Sequence, residues 1–440
     1  MNGIFFAIVV IAFTVAGIRQ FTWDPRAGGS SPMEVLSIGM IDAAGGAVTL
    51  AIGLVGAMAL FLGLMKVAEA GGLLTIIAKT LRPLMIRLFP EVPADHPAMG
   101  AIVMNLSANA LGLGNAATPF GIRAMEELDK LNPNPGTATN AMALFLAINT
   151  SSVTLLPTGV IALRAAAGSQ DPAGILPTTL FATICSTTIA ILVAKLCQNL
   201  WPASPGSANA DQPAAEARRE ERVQQEYAQD VRAMAERAEK STYPFWVSAL
   251  ALATILCLVP VTILFGQSIS PWIIPGLMVA LLGFGVARRV AIYEVFVEGA
   301  KDGFQVALRI IPYLVAILVA VGMFRASGAM ELMIEPLGQV TQLFGLPPEA
   351  LPMALLRPLS GSGAYGILAS IIENPAIGPD SYTGYLVSTF QGSTETTFYV
   401  LAVYFGAVQI RRIRHALVAA LAADATGVAA AIVICTLLYA

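Results

Sequence analysis

The chain has 440 residues, of which 56% are hydrophobic and 12% charged, with a formal net charge of -3, and its mean hydropathy is +0.72. This composition excludes a soluble globular domain and places the chain in a lipid bilayer. The net charge says nothing about partners, and no nucleic-acid partner is expected.

Apolar runs able to cross roughly 30 Å of hydrocarbon stand near residues 3 to 18, 45 to 65, 139 to 163, 175 to 200, 243 to 264, 271 to 287, 304 to 324, 380 to 408 and 416 to 438. Two more, near 97 to 117 and 350 to 372, are apolar but interrupted by Gly, Pro, Asn and Ser. The first run lacks a charged n-region and a small-x-small cleavage site, so it is expected to be a retained span. Cys185, Cys197, Cys257 and Cys435 are scattered singly, without the spacing of a metal or disulfide site. His96 and His415 are expected in loops flanking spans, solvated or interfacial. No nucleotide fingerprint, metalloprotease motif or nucleophile elbow occurs, so neither an enzyme, a metal nor a cofactor is expected.

Composition changes abruptly between Pro202 and Thr242, where Pro, Ser, Gly and Ala give way, from Asp211 to Lys240, to eight acidic and six basic residues. The second part reads as a solvated helix with Val223, Tyr227, Val231 and Met234 on one stripe and Glu236 and Lys240 as an i,i+4 pair. The stripe would pack on the protein's own cytoplasmic face or dock a partner. The chain therefore divides into 1–201, a polar linker 202–242, and 243–440.

The two halves repeat one another, as in many transporters. Leu64-Met65-Lys66 to Gly72 resembles Gly322-Met323-Phe324-Arg325 to Gly328, and Leu88-Phe89-Pro90 to Pro93 resembles Leu343-Phe344-Gly345 to Pro348. Leu106-Ser107-Ala108-Asn109-Ala110 matches Leu359-Ser360-Gly361-Ser362-Gly363. Asn149-Thr150-Ser151-Ser152-Val153-Thr154 matches Gln391-Gly392-Ser393-Thr394-Glu395-Thr396. Lys66, Lys79, Arg82 and Arg87 make the segment after the first long span basic, whereas its counterpart from Arg325 to Glu349 holds only Arg325. Conversely, Arg411, Arg412 and Arg414 are basic where residues 164 to 174 have only Arg164. Because cytoplasmic loops are enriched in Lys and Arg, the bias reverses between halves. With the linker cytoplasmic, the assignments agree only if the broken runs are re-entrant. The expected fold is all-α and polytopic, with two inverted repeats, each carrying a re-entrant broken-helix hairpin. Gly112, Gly114, Pro119, Gly361, Gly363 and Gly366 are expected at the hairpin tips, unless they serve close helix packing.

Polar groups are costly at membrane depth and are usually retained where they line a cavity. On that ground the candidate solute-binding residues are Asn105, Asn109, Asn115, Asn149, Thr150, Ser151, Ser152, Thr154, Arg357, Ser360, Ser362, Gln391, Ser393, Thr394, Glu395, Thr396 and Thr397. Glu395, opposite Val153 in the repeat, reads as a ligand for a coupling ion or substrate, or as the partner of Arg357 or Arg325. Arg357 is suited to a carboxylate or phosphate. Asp380 and Ser381 are expected to cap a helix, and Lys66 and Glu69 to pair locally.

The N half resembles the spore maturation protein A family through Gly63-Leu64-Met65-Lys66-Val67-Ala68-Glu69, Phe89-Pro90-Glu91-Val92-Pro93 and Leu111-Gly112-Leu113-Gly114-Asn115-Ala116-Ala117-Thr118-Pro119. The C half resembles the spore maturation protein B family through Val297-Glu298-Gly299-Ala300-Lys301-Asp302-Gly303, Arg357-Pro358-Leu359-Ser360-Gly361-Ser362-Gly363, Gly378-Pro379-Asp380-Ser381 and Gly392-Ser393-Thr394-Glu395-Thr396-Thr397-Phe398-Tyr399. Together they suggest a natural fusion. The resemblance implies a nucleoside recognition or Gate domain, related to concentrative nucleoside transporters and to bacterial ferrous iron transporters, with inverted hairpins around a midplane site. No cysteine falls in a broken run, which weighs against iron.

The sequence thus points to a multi-pass protein of the bacterial cytoplasmic membrane that moves a small polar or anionic solute (nucleoside-like, carboxylate or phosphate compound) by alternating access. H+ and Na+ are the candidate coupling ions, and a homo-oligomer is one option. The alternative is a non-transporting scaffold for envelope or spore-maturation assembly.

Overall fold

The computed structural model describes residues 2–25, 29–112, 114–201, 243–330, 332, 336, 338 and 341–440. The helix expected between Asp211 and Lys240 lies outside them. Among the described residues no strand forms, and the chain is an all-helical, polytopic membrane protein. In hydrocarbon each backbone N–H and C=O needs a partner within the protein, which helices supply internally.

Helix α1 (Asn2–Thr22) precedes α2 (Pro32–Ala70), which runs for 39 residues from a Ser31 capping box closed by Glu34. The span expected over 45 to 65 is therefore the latter part of a longer helix. Amphipathic α3 (Leu73–Leu88) follows through Gly72, whose φ of 84° is left-handed. Next come α4 (Pro97–Ala110), α5 (Gly114–Lys130), α6 (Asn140–Thr150), α7 (Thr158–Ala166) and α8 (Ile175–Cys197). Beyond the linker, α9 (Phe245–Ala287) is one helix of 43 residues, although two spans were expected there. Helix α10 (Ile292–Ala326) lies antiparallel to α2, with Gly39 against Ala326 and Gly63 against Phe296. Small residues at this crossing, including Gly299 and Gly303, let the two backbones nearly touch.

The C half continues through 3-10 turns at Gln342–Phe344 and Pro348–Ala350 to α11 (Leu351–Leu356), α12 (Gly361–Ile372), α13 (Tyr382–Ser393), α14 (Thr397–Ala407) and α15 (Ala416–Tyr439). Side-chain ties sort these elements into two ends. At one end, Asn140 at the start of α6 donates to Glu91 (2.8 Å). There Arg414 donates to Asn140 (3.0 Å) and to the Gln198 carbonyl just past α8 (3.1 Å). At the other, Arg164 on the last turn of α7 donates to Asp380 just before α13 (3.0 Å). There Tyr439 at the end of α15 donates to the Gly174 carbonyl before α8 (2.6 Å), and Tyr382 to that of Gly345 (2.6 Å).

The hairpin α4–α5 leaves the Arg414 end near Glu91 and returns there to begin α6. The hairpin α11–α12 leaves the Arg164 end after Gly345 and returns there to begin α13. The hairpins therefore enter from opposite ends, and the halves are inverted as the charge bias indicated. Among the described residues four helices, Phe5–Thr22, Pro32–Ala70, Ile175–Cys197 and Ala416–Tyr439, are long and apolar enough to cross a membrane. Their exposed Phe21, Leu196 and Leu437 are the contacts that lipid would cover.

The tip of the first hairpin turns at Gly112, where φ is +74° and a Cβ would run into the Leu156 carbonyl. The second tip is built differently, by Pro358 and by Ser360, which caps α12 by accepting from Gly363 N (3.0 Å). Gly363 and Gly366 lie inside α12 and Pro119 inside α5, so these three do not form turns. In this sequence the glycines shorten the approach between helices more often than they turn the chain.

Candidate functional site

Both polar patches fall where a helix comes undone. Helix α6 stops at Thr150 and α7 begins at Thr158, while α13 stops at Ser393 and α14 begins at Thr397. Unwinding at membrane depth frees backbone groups, and several of them find partners across the patches. Glu395 N donates to Thr150 O at 2.8 Å, joining the two unwound segments directly. Leu155 N donates to Ala110 O on the first hairpin (2.9 Å), and Phe398 N to Pro358 O on the second (3.1 Å). Thr187 of α8 donates to the Ser151 carbonyl, and the Arg357 guanidinium to that of Thr394. Each unwound segment is thus held against the hairpin of its own half and against the other segment.

On the N-half side the polarity is that of neutral amides. Asn105, fully buried, donates to Ala117 O (2.8 Å) and to the Tyr404 hydroxyl (3.2 Å). Asn109 donates to Asn149 Oδ1 (2.9 Å), and Asn149 Nδ2 donates to Phe145 O (2.9 Å). The Tyr404 ring stacks on Phe145 with centroids 5.9 Å apart. Thr150 and Ser151 spend their hydroxyls on the Ala147 carbonyl at 2.9 and 2.8 Å, closing the end of α6. Thr154 donates to the carbonyl of the buried Ser152 (3.3 Å). Asn115 stands on the first turn of α5, and its side chain lies outside what the structure describes.

On the C-half side the polarity is ionic. Arg357, at the second hairpin tip, donates to Thr396 Oγ1 (3.0 Å) and lies 3.9 Å from Glu395, while its Nε has no partner. Glu395 is 54% exposed, so its carboxylate opens onto space beside the buried guanidinium. Arg325 donates instead to the Ser370 carbonyl. Gln391 is buried with Oε1 unpartnered, Ser393 donates to Phe390 O (3.1 Å), and the Ser362 side chain is exposed. Thr397 donates at 2.7 Å to Asp424 of α15, a buried carboxylate whose other oxygen has no partner. Gly427, one turn on, packs against Thr394 and Ser393 and keeps α15 close to the unwound segment.

Asp424, Tyr404 and Thr187 were not among the residues anticipated. Asp424 carried the same signal as Glu395, a lone carboxylate in an apolar run; Tyr404 and Thr187 carried none. Asp380 does not cap α13, as Ser381 does, but pairs with the fully buried Arg164. Lys66 and Glu69 pair locally at 3.9 Å. His415, expected solvated, is instead completely buried just before α15, with neither ring nitrogen partnered. Burial and the neighbouring Arg414 hold it down at about 4.

Inverted halves, opposed hairpins and paired unwound segments define a multi-pass membrane protein built around one junction between its halves. The chain belongs to the Gate family, described as nucleoside recognition, whose model matches residues 51–167 and 307–411, one stretch in each half. It is 47% identical over 166 residues to spore maturation protein B of Bacillus subtilis (strain 168), covering 38% of this chain and 92% of that protein. It is 50% identical over 147 residues to spore maturation protein A of the same organism, covering 33% of this chain and 75% of that protein. These matches cover different parts of the chain and are consistent with a fusion. The match to solved structures is looser: 99% of the chain aligns with 92% of CNTnw in an inward-facing substrate-bound state at 13% identity and a TM-score of 0.46.

Proposed function

We propose that this protein binds a small polar or anionic solute, a nucleoside-like, carboxylate or phosphate compound, between its two unwound segments and moves it across the membrane by alternating access. The observation that carries this reading is the Glu395 to Thr150 backbone bond, which brings both polar patches to one place, with a hairpin reaching it from each end. Asn109, Asn149 and Tyr404 supply neutral donors and acceptors on one wall; Arg357, Gln391 and Glu395 supply charge and an open amide oxygen on the other. Because neighbouring half-helices end at the junction, small rigid shifts of one hairpin would open it to one end at a time.

The Arg414 end, bearing Lys79, Arg87, Arg411 and Arg412, is assigned to the cytoplasm by its basic residues, and the 202–242 linker is assigned to the same side of the membrane. The membrane is then the bacterial inner membrane. Residues 1–201 and 243–440 act as the two moving repeats.

A purified-protein thermal-shift screen across nucleosides, small carboxylates, phosphates and cations tests this. At least one compound should raise Tm in the native chain and lose that effect in Glu395→Gln and in Asn149→Ala. A second reading, a scaffold for envelope assembly, draws on the spore maturation names of both relatives. It expects no ligand shift with any compound.

A further inference from the structure

Asp424 is the one acidic residue on α15, 5% exposed and packed where the helix passes the second unwound segment. One carboxyl oxygen accepts from Thr397 Oγ1 at 2.7 Å; the other has no hydrogen-bond partner. Its neighbours are polar but uncharged: Ser186 of α8 donates to the adjacent Ala423 carbonyl (2.8 Å), and Ser393 and Thr394 lie against Gly427. The charged group that acts on this place is Arg357, which itself lies 3.9 Å from Glu395. Helix α6 brings no ionisable side chain, and the ionisable groups of α13, α14 and the adjoining part of α8 are phenols and a thiol, neutral near pH 7.

An ionised carboxylate in this position would be a buried charge with half its acceptor capacity unfilled, a costly arrangement in hydrocarbon. Two species relieve it, a metal cation or a proton. A metal cation needs a shell of several oxygens, yet Thr397 Oγ1 is the one side-chain oxygen bonded to the carboxyl, and no cluster of acidic, His or Cys side chains suited to a metal occurs among the described residues. A proton needs a single oxygen. We propose that Asp424 is a proton-binding site at the midplane: Oδ2 accepts from Thr397 while Oδ1 carries the proton. Release of that proton accompanies any movement of Thr394–Thr397 that brings Arg357 or water against Oδ1. This rests on the transport reading for its use as a coupling step and moves that role from Glu395, whose carboxylate is exposed, to Asp424. The proton site itself stands on geometry alone.

Infrared difference spectroscopy on the full chain in lipid tests it. At neutral pH the native protein should show the carbonyl-stretch band of a protonated carboxyl, lost in Asp424→Asn and retained in Glu395→Gln. If Asp424→Asn does not fold, Thr397→Val should shift the band by removing its hydrogen bond. Exchange of choline chloride for NaCl should leave the band in place. Absence of the band, its persistence unshifted in both Asp424→Asn and Thr397→Val, or its removal by Na+ would overturn the proposal. A band without any ligand shift would leave the proton site standing and defeat transport; ligand shifts without the band would do the reverse.

Discussion

The two unwound segments occupy equivalent places in inverted halves, yet one is lined by amides and the other by charges. At the end of α6, Asn105, Asn109 and Asn149 gather with Tyr404, whereas residues 394–396 carry Glu395, are bonded by Arg357 and adjoin Thr397, which donates to Asp424. Duplication supplied the frame, in which each segment leans on its own hairpin; the chemistry then diverged within it. Under the proposed transport reading, the neutral wall would hold a polar solute by hydrogen bonds and the ionic wall would set charge selectivity and coupling.

Substitutions that treat equivalent positions unequally put this comparison to the test. The largest effect is expected from Arg357→Met, which strips partners from the Thr394 carbonyl and Thr396. Loss of a buried charge-assisted pair of bonds should cost about 3 kcal/mol, read as a fall in Tm of the purified protein. Gly112→Ala should come next, at about 2 kcal/mol, because it adds left-handed strain and a clash with a carbonyl. Gly361→Ala, where a Cβ would meet Thr396 Oγ1 at 2.8 Å without a positive φ, should cost less. Equal costs would mean that the two tips are built alike.

Asn149→Ala leaves Asn109 and Tyr404 short of an acceptor and should cost about 1–2 kcal/mol. His415→Gln bears on pH. The folded pKa of about 4 lies below the ordinary 6.5, so the unfolded chain binds more protons between those values, and stability is lost as pH falls through that window. The native Tm should therefore fall more steeply than that of His415→Gln between pH 6.5 and 4. Glu395→Gln should be smallest, under about 0.5 kcal/mol, since the carboxylate is half exposed and only 3.9 Å from its partner. A large stability loss there would mean that Glu395 is a structural ion rather than one held open for a ligand.

Much of this was legible in the sequence. Lys and Arg counts carried the inversion because topology responds to loop charge, and the polar patches carried the junction because hydroxyls and amides are conspicuous among apolar residues. What the sequence left unread is how each side chain is spent. Thr150 and Ser151 look like ligands but close the end of their own helix, and Asn109 and Asn149 are mutual partners. Asp424 was readable by the same rule as Glu395, yet it stands between alanines with Thr426 as its one polar neighbour, whereas Glu395 sits in a continuous run of polar residues. Tyr404 was hidden because a tyrosine in an apolar helix has an ordinary use in packing. The long helix Phe245–Ala287 shows that a Gly-Gln-Ser interruption does not by itself end a helix.

The central claim is that the two unwound segments meet. It is tested most directly by oxidising Thr150→Cys with Glu395→Cys in native membranes, in a chain whose four cysteines are replaced and whose 202–242 linker carries a protease site. After cleavage, the account predicts a single full-length band without reductant that separates into two halves with it. Two bands under both conditions, with both cysteines shown to be reactive, would contradict it.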